Sequence, residues 1–225
     1  MIFGRNVGHL TFPYIAARLR EISYQRRNKD LPWLTQAANQ FLGNYLLASD
    51  VGLEFGSGRS TLWFAKRVKR VVSVEHDYNW YKLVKDRLHQ EGINNVDYRF
   101  LNADTHNDEQ MAVATRAITN QLEMDSFDFV LVDGVCRDVC AREAIRLLRP
   151  GGILVIDNVN RHLPSNSASP ESRSYELGPD GMVWGEVLSY LASWRHYWTS
   201  SGVTDTAIYF KPGCVNAHRL ALGGG

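Results

Sequence analysis

The stretch from Asp50 to Glu75, DVGLEFGSGRSTLWFAKRVKRVVSVE, reads as a strand, a glycine turn, a helix and a second strand. Val51, Leu53 and Phe55 are apolar and β-favouring, and they stop at Gly56-Ser57-Gly58. Ser60 and Thr61 stand where they can cap a helix that carries Leu62, Trp63, Phe64, Ala65 and Val68. Arg70 to Val74 is a nearly continuous buried strand, and Glu75 closes it. In a doubly wound sheet, the loop after the first strand and the acid ending the second meet at the carboxyl edge, where nucleoside ligands bind. Glycines let the backbone approach such a ligand, and a carboxylate about twenty residues on can accept both ribose hydroxyls.

Working outward, the rest of the chain repeats the strand–helix alternation. Residues 11–28 form an amphipathic pattern with Thr11 or Pro13 near its start and an apolar side of Tyr14, Ile15, Leu19, Ile22 and Tyr24. Its basic residues, among them Arg18, Arg20, Arg26, Arg27 and Lys29, suit either a solvated face or a lid, a homodimer contact or a clamp for an acidic substrate. Thr35 caps a second helix with Ala38, Phe41, Leu42, Tyr45 and Leu46, and Trp33 and Thr35 are placed to reach a ligand near the glycine turn. After Glu75 come His76-Asp77 and a helix that stops at Gly92. A third strand over 95–101 ends at Asn102-Ala103-Asp104, and a helix over 107–124 precedes a fourth strand, SFDFVLV, that ends at Asp133. A helix over 138–148 leads to the fifth strand, Ile153 to Ile156, with Asp157-Asn158 at its end. A polar segment over 158–182, rich in serine, is expected to be a mobile substrate cover. A helix over 183–194, a closing strand pair and a tail over 213–225 complete the chain. This alternation predicts a Rossmann-like doubly wound sheet, mostly parallel with an antiparallel last strand and helices on both faces. Residues 1–34 are expected to be a helical extension or lid, and 35–212 the ligand-binding domain.

The acid before the turn discriminates among nucleosides. A pyrophosphate beside Glu54 would be repelled, whereas a cationic amino-acid group would be attracted. Glu54-Phe55-Gly56-Ser57-Gly58 resembles the E/D-x-G-x-G motif of class I S-adenosylmethionine-dependent methyltransferases. The passage LLRPGGILVIDN also resembles this superfamily, and the likeness spans residues 32–212. The G-S-G-x-S-T turn and the S-V-E-H-D second strand are similar to small bacterial members. The resemblance implies methyl transfer from S-adenosylmethionine to an oxygen or nitrogen of a small-molecule acceptor. It further implies a cofactor site of Glu54, Gly56, Ser57, Gly58, Ser60, Thr61, Glu75, His76, Asp104 and Asp133, with Asp104 on the adenine amino group. A nucleoside-binding module without turnover and a nicotinamide-dependent oxidoreductase are the alternative readings.

Two mechanisms compete at the carboxyl edge. Asp133, Asp157 and Asn158 resemble the magnesium ligands of the catechol O-methyltransferase group, and their oxygens suit Mg²⁺. That group places a lysine three residues beyond the first Asp, where this chain has Cys136, followed by Arg137. In the second mechanism no metal binds: His162 or Asp133 is the general base, and Arg137 or Arg161 orients an acidic acceptor.

Composition narrows the partners. With 44% hydrophobic and 22% charged residues, the chain has an ordinary globular composition. A net charge of +1, and no Asp/Asn-Pro-Pro-Tyr motif after the fourth strand, argue against nucleic acid as substrate. Cys136, Cys140 and Cys214 are an odd count without C-x-x-C spacing, which suggests reduced thiols in a cytoplasm. No run is long enough for a membrane span, and no signal-peptide core begins the chain.

Overall fold

The computed structural model describes residues 11–213. The first ten residues of the expected extension, and the tail with Cys214 from residue 214 onward, lie outside the described residues.

The helices are α1 (Phe12–Arg27), α2 (Gln36–Tyr45), α3 (Arg59–Ala65), α4 (Tyr78–Gln90), α5 (Asp108–Thr119), α6 (Arg137–Leu147) and α7 (Gly181–Leu191). The strands are β1 (Val51–Phe55), β2 (Arg70–Glu75), β3 (Val96–Phe100), β4 (Phe127–Val132), β5 (Leu148–Asp157), β6 (Arg195–Ser200) and β7 (Asp205–Phe210). They form one seven-stranded sheet in the order β3-β2-β1-β4-β5-β7-β6. Strands β1 to β5 pair in parallel, and β7 inserts antiparallel between β5 and β6. The architecture is the Rossmann-like one expected, and β7 is the antiparallel last strand.

Both faces of the sheet are apolar because alternate residues of each central strand feed different cores. Val130 and Val132 of β4, with Leu154 and Ile156 of β5, pack under α6 and α7. Phe129 and Leu131, with Ile153 and Val155, pack under α2 and α3. Period-2 alternation with both phases apolar makes a strand that is covered on both sides. The register sets Val132 beside Ile156, so the next residues, Asp133 and Asp157, emerge side by side at the carboxyl edge. By the same alternation both carboxylates turn toward the α2 and α3 side.

Local boundaries differ from the sequence reading in instructive places. Ser60 and Thr61 lie inside α3 rather than capping it, because the helix begins at Arg59 and Gly58 takes the cap position. Thr61 instead reaches back, and its Oγ1 accepts from the Gly58 N–H at 2.9 Å. In α1, Thr11 accepts from the Tyr14 N–H as a cap, but only part of the expected apolar side packs, with Tyr14, Ile22 and Tyr24 half-buried. Ala17 is its buried residue, whereas Ile15 and Leu19 are exposed with Phe12.

The 158–182 segment is built, not loose. It starts with a 3-10 turn at Val159–Arg161. The buried Asn160 then donates to the Pro170 carbonyl and to Ser172 Oγ, and it accepts from the Asp205 N–H. Arg173 donates to the carbonyls of Leu177, Gly178 and Pro179. Ser169 Oγ donates to the buried Asp205 at 2.6 Å. A serine-rich composition does not show where each hydroxyl bonds, so these ties were not readable from the sequence.

Gly52 of β1 gives the core a test. A β-carbon there would overlap the ring of Phe129, which is wholly buried on the neighbouring strand. Gly52→Ala should cost about 1–3 kcal/mol through overpacking. Combined with Phe129→Leu it should cost less than the two changes summed, by about 1 kcal/mol. Urea denaturation of the four proteins checks this, and strict additivity would show that the ring does not lie over Gly52.

Candidate functional site

The site grows from the turn after β1. Gly56 has φ +92°, and a β-carbon there would lie 2.6 Å from the Gly134 nitrogen, so this position accepts glycine alone without strain. The close approach brings the β1 and β4 turns together, and the Asp133 N–H donates to the Phe55 carbonyl at 2.9 Å. A cleft of about 820 Å³ opens above them, lined by Gly56 to Ser60, Glu75 to Asp77, Trp80, Trp33 and Asp133 to Val135.

Glu75 forms its floor. Its Oε1 accepts from the N–H groups of His76 and Asp77, both at 2.8 Å, and lies 3.0 Å from His76 Nδ1. Its Oε2 accepts from the Ser57 N–H at 2.9 Å and from Ser57 Oγ at 2.7 Å. Burial alone would raise this carboxyl, but these donors together outweigh it and hold it down at about 2. Ser57 Oγ also lies 2.7 Å from the Tyr98 hydroxyl, and the Trp80 indole N–H donates to the Ser57 carbonyl at 2.7 Å. Trp80 and Tyr98 therefore steady the turn from α4 and β3. The sequence reading treated both only as elements of periodicity.

Glu54 lies directly behind the turn and behaves in the opposite way. It is fully buried, and its Oε2 accepts from Thr61 Oγ1 at 2.5 Å and from Ser73 Oγ at 2.7 Å. Its Oε1 has no hydrogen-bond partner. Burial pushes the carboxyl up to about 7, against the pull of the hydroxyls of Ser60, Thr61 and Ser73. Ser73 is not singled out by the sequence reading, although a serine within the run VVSVE is a readable sign of a buried polar partner.

Asp133 and Asp157 meet as the strand register requires. Burial pushes both carboxyls up, and the charge of Asp157 adds to the push on Asp133, while Arg137 opposes it in both. Arg137 holds the two strand ends: its guanidinium donates to the carbonyls of Asp133, Gly134 and Asp157 and to Asp133 Oδ1. Asp157 Oδ1 accepts from Thr206 at 2.8 Å. Asn158 sits in a left-handed conformation, φ 51°, with its Nδ2 donating to Thr204 Oγ1. These residues do not fit Mg²⁺. A guanidinium already supplies the positive charge, and Asn158 turns its amide nitrogen to Thr204. Among the described residues no group of three or more His, Cys, Asp or Glu could hold a metal ion.

Other expected residues are placed differently. Asp104 is exposed beyond β3, where its Oδ1 accepts from the His106 N–H as in an ordinary turn. Thr35 is buried away from the cleft against Thr199 and Thr206. Trp33 does line the cleft, with the Arg59 guanidinium 5.0 Å from its ring centre. Neither arginine offered for an acidic acceptor is free for it. Arg137 is committed to the strand ends, and Arg161 pairs with Glu171 at 3.1 Å. His162 is not hydrogen-bonded to Asp133; it stacks on Trp184 of α7 and bonds Asp180.

Comparison with known proteins adds the family. Residues 50–156 match the family described as methyltransferase domain. The match spans just under half of the 225-residue chain. The family implies S-adenosylmethionine as methyl donor. The fold is shared with a methyltransferase-like protein from Silicibacter pomeroyi, at TM-score 0.54 and 19% identity over 84% of this chain and 92% of that one. A methyltransferase from Geobacter sulfurreducens superposes at TM-score 0.52 and 15% identity, covering 90% of this chain and 91% of the other. The cofactor-bound protein Rv0187 from MTB gives TM-score 0.52 and 23% identity over 89% and 90% of the two chains. No curated protein matches the sequence significantly. No described helix is long and apolar enough to cross a membrane.

The raised carboxyl of Glu54 makes a pH-dependent contribution to the stability of this domain. The folded state binds the proton more tightly than the unfolded state, so stability falls as pH rises from about 4.5 to about 7 and is level beyond. Glu54→Gln keeps an acceptor for Thr61 and Ser73 and cannot ionise. Its stability should fall less between pH 4.5 and 7.5 than that of the wild type, by on the order of 3 kcal/mol. Urea denaturation at the two pH values measures this, and equal slopes would mean that Glu54 is not the titrating group.

Proposed function

We propose that the protein transfers the methyl group of S-adenosylmethionine to an oxygen or nitrogen of a small-molecule acceptor. The observation that carries this reading is the placement of Glu75 and the glycine turn as floor and wall of one cleft in a methyltransferase domain. The cleft volume of about 820 Å³ suits a nucleoside with an amino-acid tail. When bound, the cofactor supplies an electrophilic methyl group on a sulfonium.

The chain's own groups divide the remaining work. Glu75, anionic and rigid, accepts the ribose hydroxyls, with Ser57 Oγ giving up its place on Oε2 and turning to Tyr98. The backbone of Gly56, Ser57 and Gly58 admits the ligand closely, and Ser60 and Thr61 hold the start of α3 behind it. Glu54, fully buried behind the turn, supplies negative potential for a cationic amino group when it is ionised. Asp133 lines the cleft beside the glycine turn, where it contacts the methionine end. His76 packs beside the ribose position, and Asp104 reaches the adenine only if its turn closes on the cleft. Alignment of the acceptor with the methyl carbon supplies much of the acceleration. A nicotinamide dinucleotide is less well served. The N–H of Gly58, the cap of α3, is spent on Thr61, and Glu54 lies behind the turn where a pyrophosphate would sit.

Calorimetric titration with S-adenosylhomocysteine tests the reading. Wild type should bind, and Glu75→Gln, which keeps an acceptor oxygen for the backbone but loses the charge, should bind about 10- to 100-fold more weakly. Absence of binding by wild type removes the reading. Equal binding by the variant removes Glu75 as the ribose anchor.

A further inference from the structure

Beside the cofactor cleft lies a second cavity of about 760 Å³, and the two share Gly134 and Val135 as a common wall. Its far side carries His162, Asp180 and Trp184. The imidazole of His162 lies flat on the Trp184 indole, with ring centres 4.9 Å apart and planes 10° apart. Its Nδ1 is 3.3 Å from Asp180 Oδ2. The other oxygen of Asp180 is held by Arg173 at 3.2 Å, and Arg173 also grips the carbonyls that precede Asp180. The Asp180 N–H donates to the His162 carbonyl at 2.9 Å, which ties the two residues by backbone as well. An imidazole fixed by a face, a carboxylate and a backbone bond has one tautomer and one orientation, with Nε2 left as the basic atom.

We propose that His162, oriented by Asp180 and Trp184, is the proton acceptor for a substrate with an O–H or N–H nucleophile bound in this second cavity. The proposal rests on the methyltransferase reading above. The acceptor oxygen or nitrogen forms a bond to the methyl carbon as the carbon–sulfur bond breaks, with that electron pair remaining on sulfur. The acceptor's proton passes to His162 Nε2. Such a base is required by an alcohol, phenol or N–H acceptor and is superfluous for a thioether or a carboxylate. Asp180 and Arg173 are positioning residues.

Protonation of the ring is governed by groups from each neighbouring element. Arg161 lies on the preceding turn, Arg137 and Asp138 on α6, Asp108 and Arg116 on α5, and Asp180 on the loop. Burial pushes the ring below its ordinary value, Asp180 pulls it back in part, and Arg137 and Arg161 push it lower. The ring is neutral at neutral pH, as a base must be.

The test is ethoxycarbonylation of the full-length protein by diethyl pyrocarbonate, read at His162 by peptide mass spectrometry from pH 5 to 8. His162 should react in the folded wild type, with a midpoint below that of an ordinary imidazole. Asp180→Asn should lower the midpoint and slow the reaction at pH 8 several-fold, and Arg173→Gln, which loosens the hold on Asp180, should slow it to a smaller extent. Saturating S-adenosylhomocysteine should change the wild-type rate by less than twofold, because the cofactor occupies the neighbouring cleft. An unreactive His162, a rate indifferent to both substitutions, or protection of more than tenfold by S-adenosylhomocysteine overturns the proposal. Calorimetry on the same samples separates the two ideas. If S-adenosylhomocysteine does not bind, the methyltransferase reading fails. If it binds and His162 gives one of the overturning results, only the base assignment fails.

Discussion

Two glycine turns that touch through bare backbone are the constraint on which the site depends. Gly56 after β1 and Gly134 after β4 approach so closely that a β-carbon on either would strike the other's main chain. That contact draws the carboxyl ends of two adjacent parallel strands together and leaves room above them for a ligand. It also decides where the acids stand. Glu54 lies one residue before the first turn's closing phenylalanine, Asp133 lies immediately before the second glycine, and Asp157 is carried alongside by the β4–β5 register. Substitution at the contact would move all three.

Four carboxylates within this edge are kept in different electrostatic states by their surroundings. Glu75 is nearly buried, yet two backbone N–H groups of the β2–α4 turn, the Ser57 main and side chains and the neighbouring imidazole solvate it as water would. Glu54 has hydroxyl donors on one oxygen only, which do not offset the loss of water from the other. Asp133 and Asp157 share a single guanidinium, and Arg137 spends most of its donors on main-chain carbonyls rather than on the carboxylates. Burial pushes both carboxyls up, and one guanidinium that also serves the strand ends does not offset it. The difference has a functional sense. Under the proposed function, an anion stands where ribose hydroxyls would bind, and a carboxyl that can take up a proton stands behind the turn.

Much of this was legible in the sequence, and the reasons for the rest are local. The strand–turn–helix–strand order over 50–75 was readable because β1 and β2 are uninterrupted apolar runs ended by glycine or acid. Asp133 and Asp157 were readable as strand-end acids because β4 and β5 have the same character. Their neighbours were not, since Arg137 could as well have pointed to solvent or substrate as back onto the carbonyls of its own sheet. Thr61 was read as a cap because threonine before an apolar run usually caps. It lies three residues inside the cap, where its hydroxyl can serve Gly58 and Glu54 at once. For α1, periodicity marked the larger apolar side, but contact was decided by size. Ala17 fits against Gly202, where a β-carbon on the glycine would come within 3.1 Å, and a leucine would not.

The 158–180 segment shows most clearly why composition is a poor guide to order. Serine, asparagine and proline without periodicity describe a disordered linker and an internally bonded loop equally well. What separates them is whether each polar group meets a partner at a defined point, and that information is three-dimensional. Asn160 is the pivot. Wholly buried one residue into the loop's first turn, it joins the loop's midpoint at Pro170 and Ser172 to the start of β7 at Asp205. Ser169 adds a second tie to the same aspartate, and Arg173 ties down the loop's end. Opening the segment as a flap would break the bonds of Asn160 to Pro170 and Ser172 and that of Ser169 to Asp205. Under the proposed function such a segment would be a preformed wall, and the shape it already has would set selectivity for the acceptor.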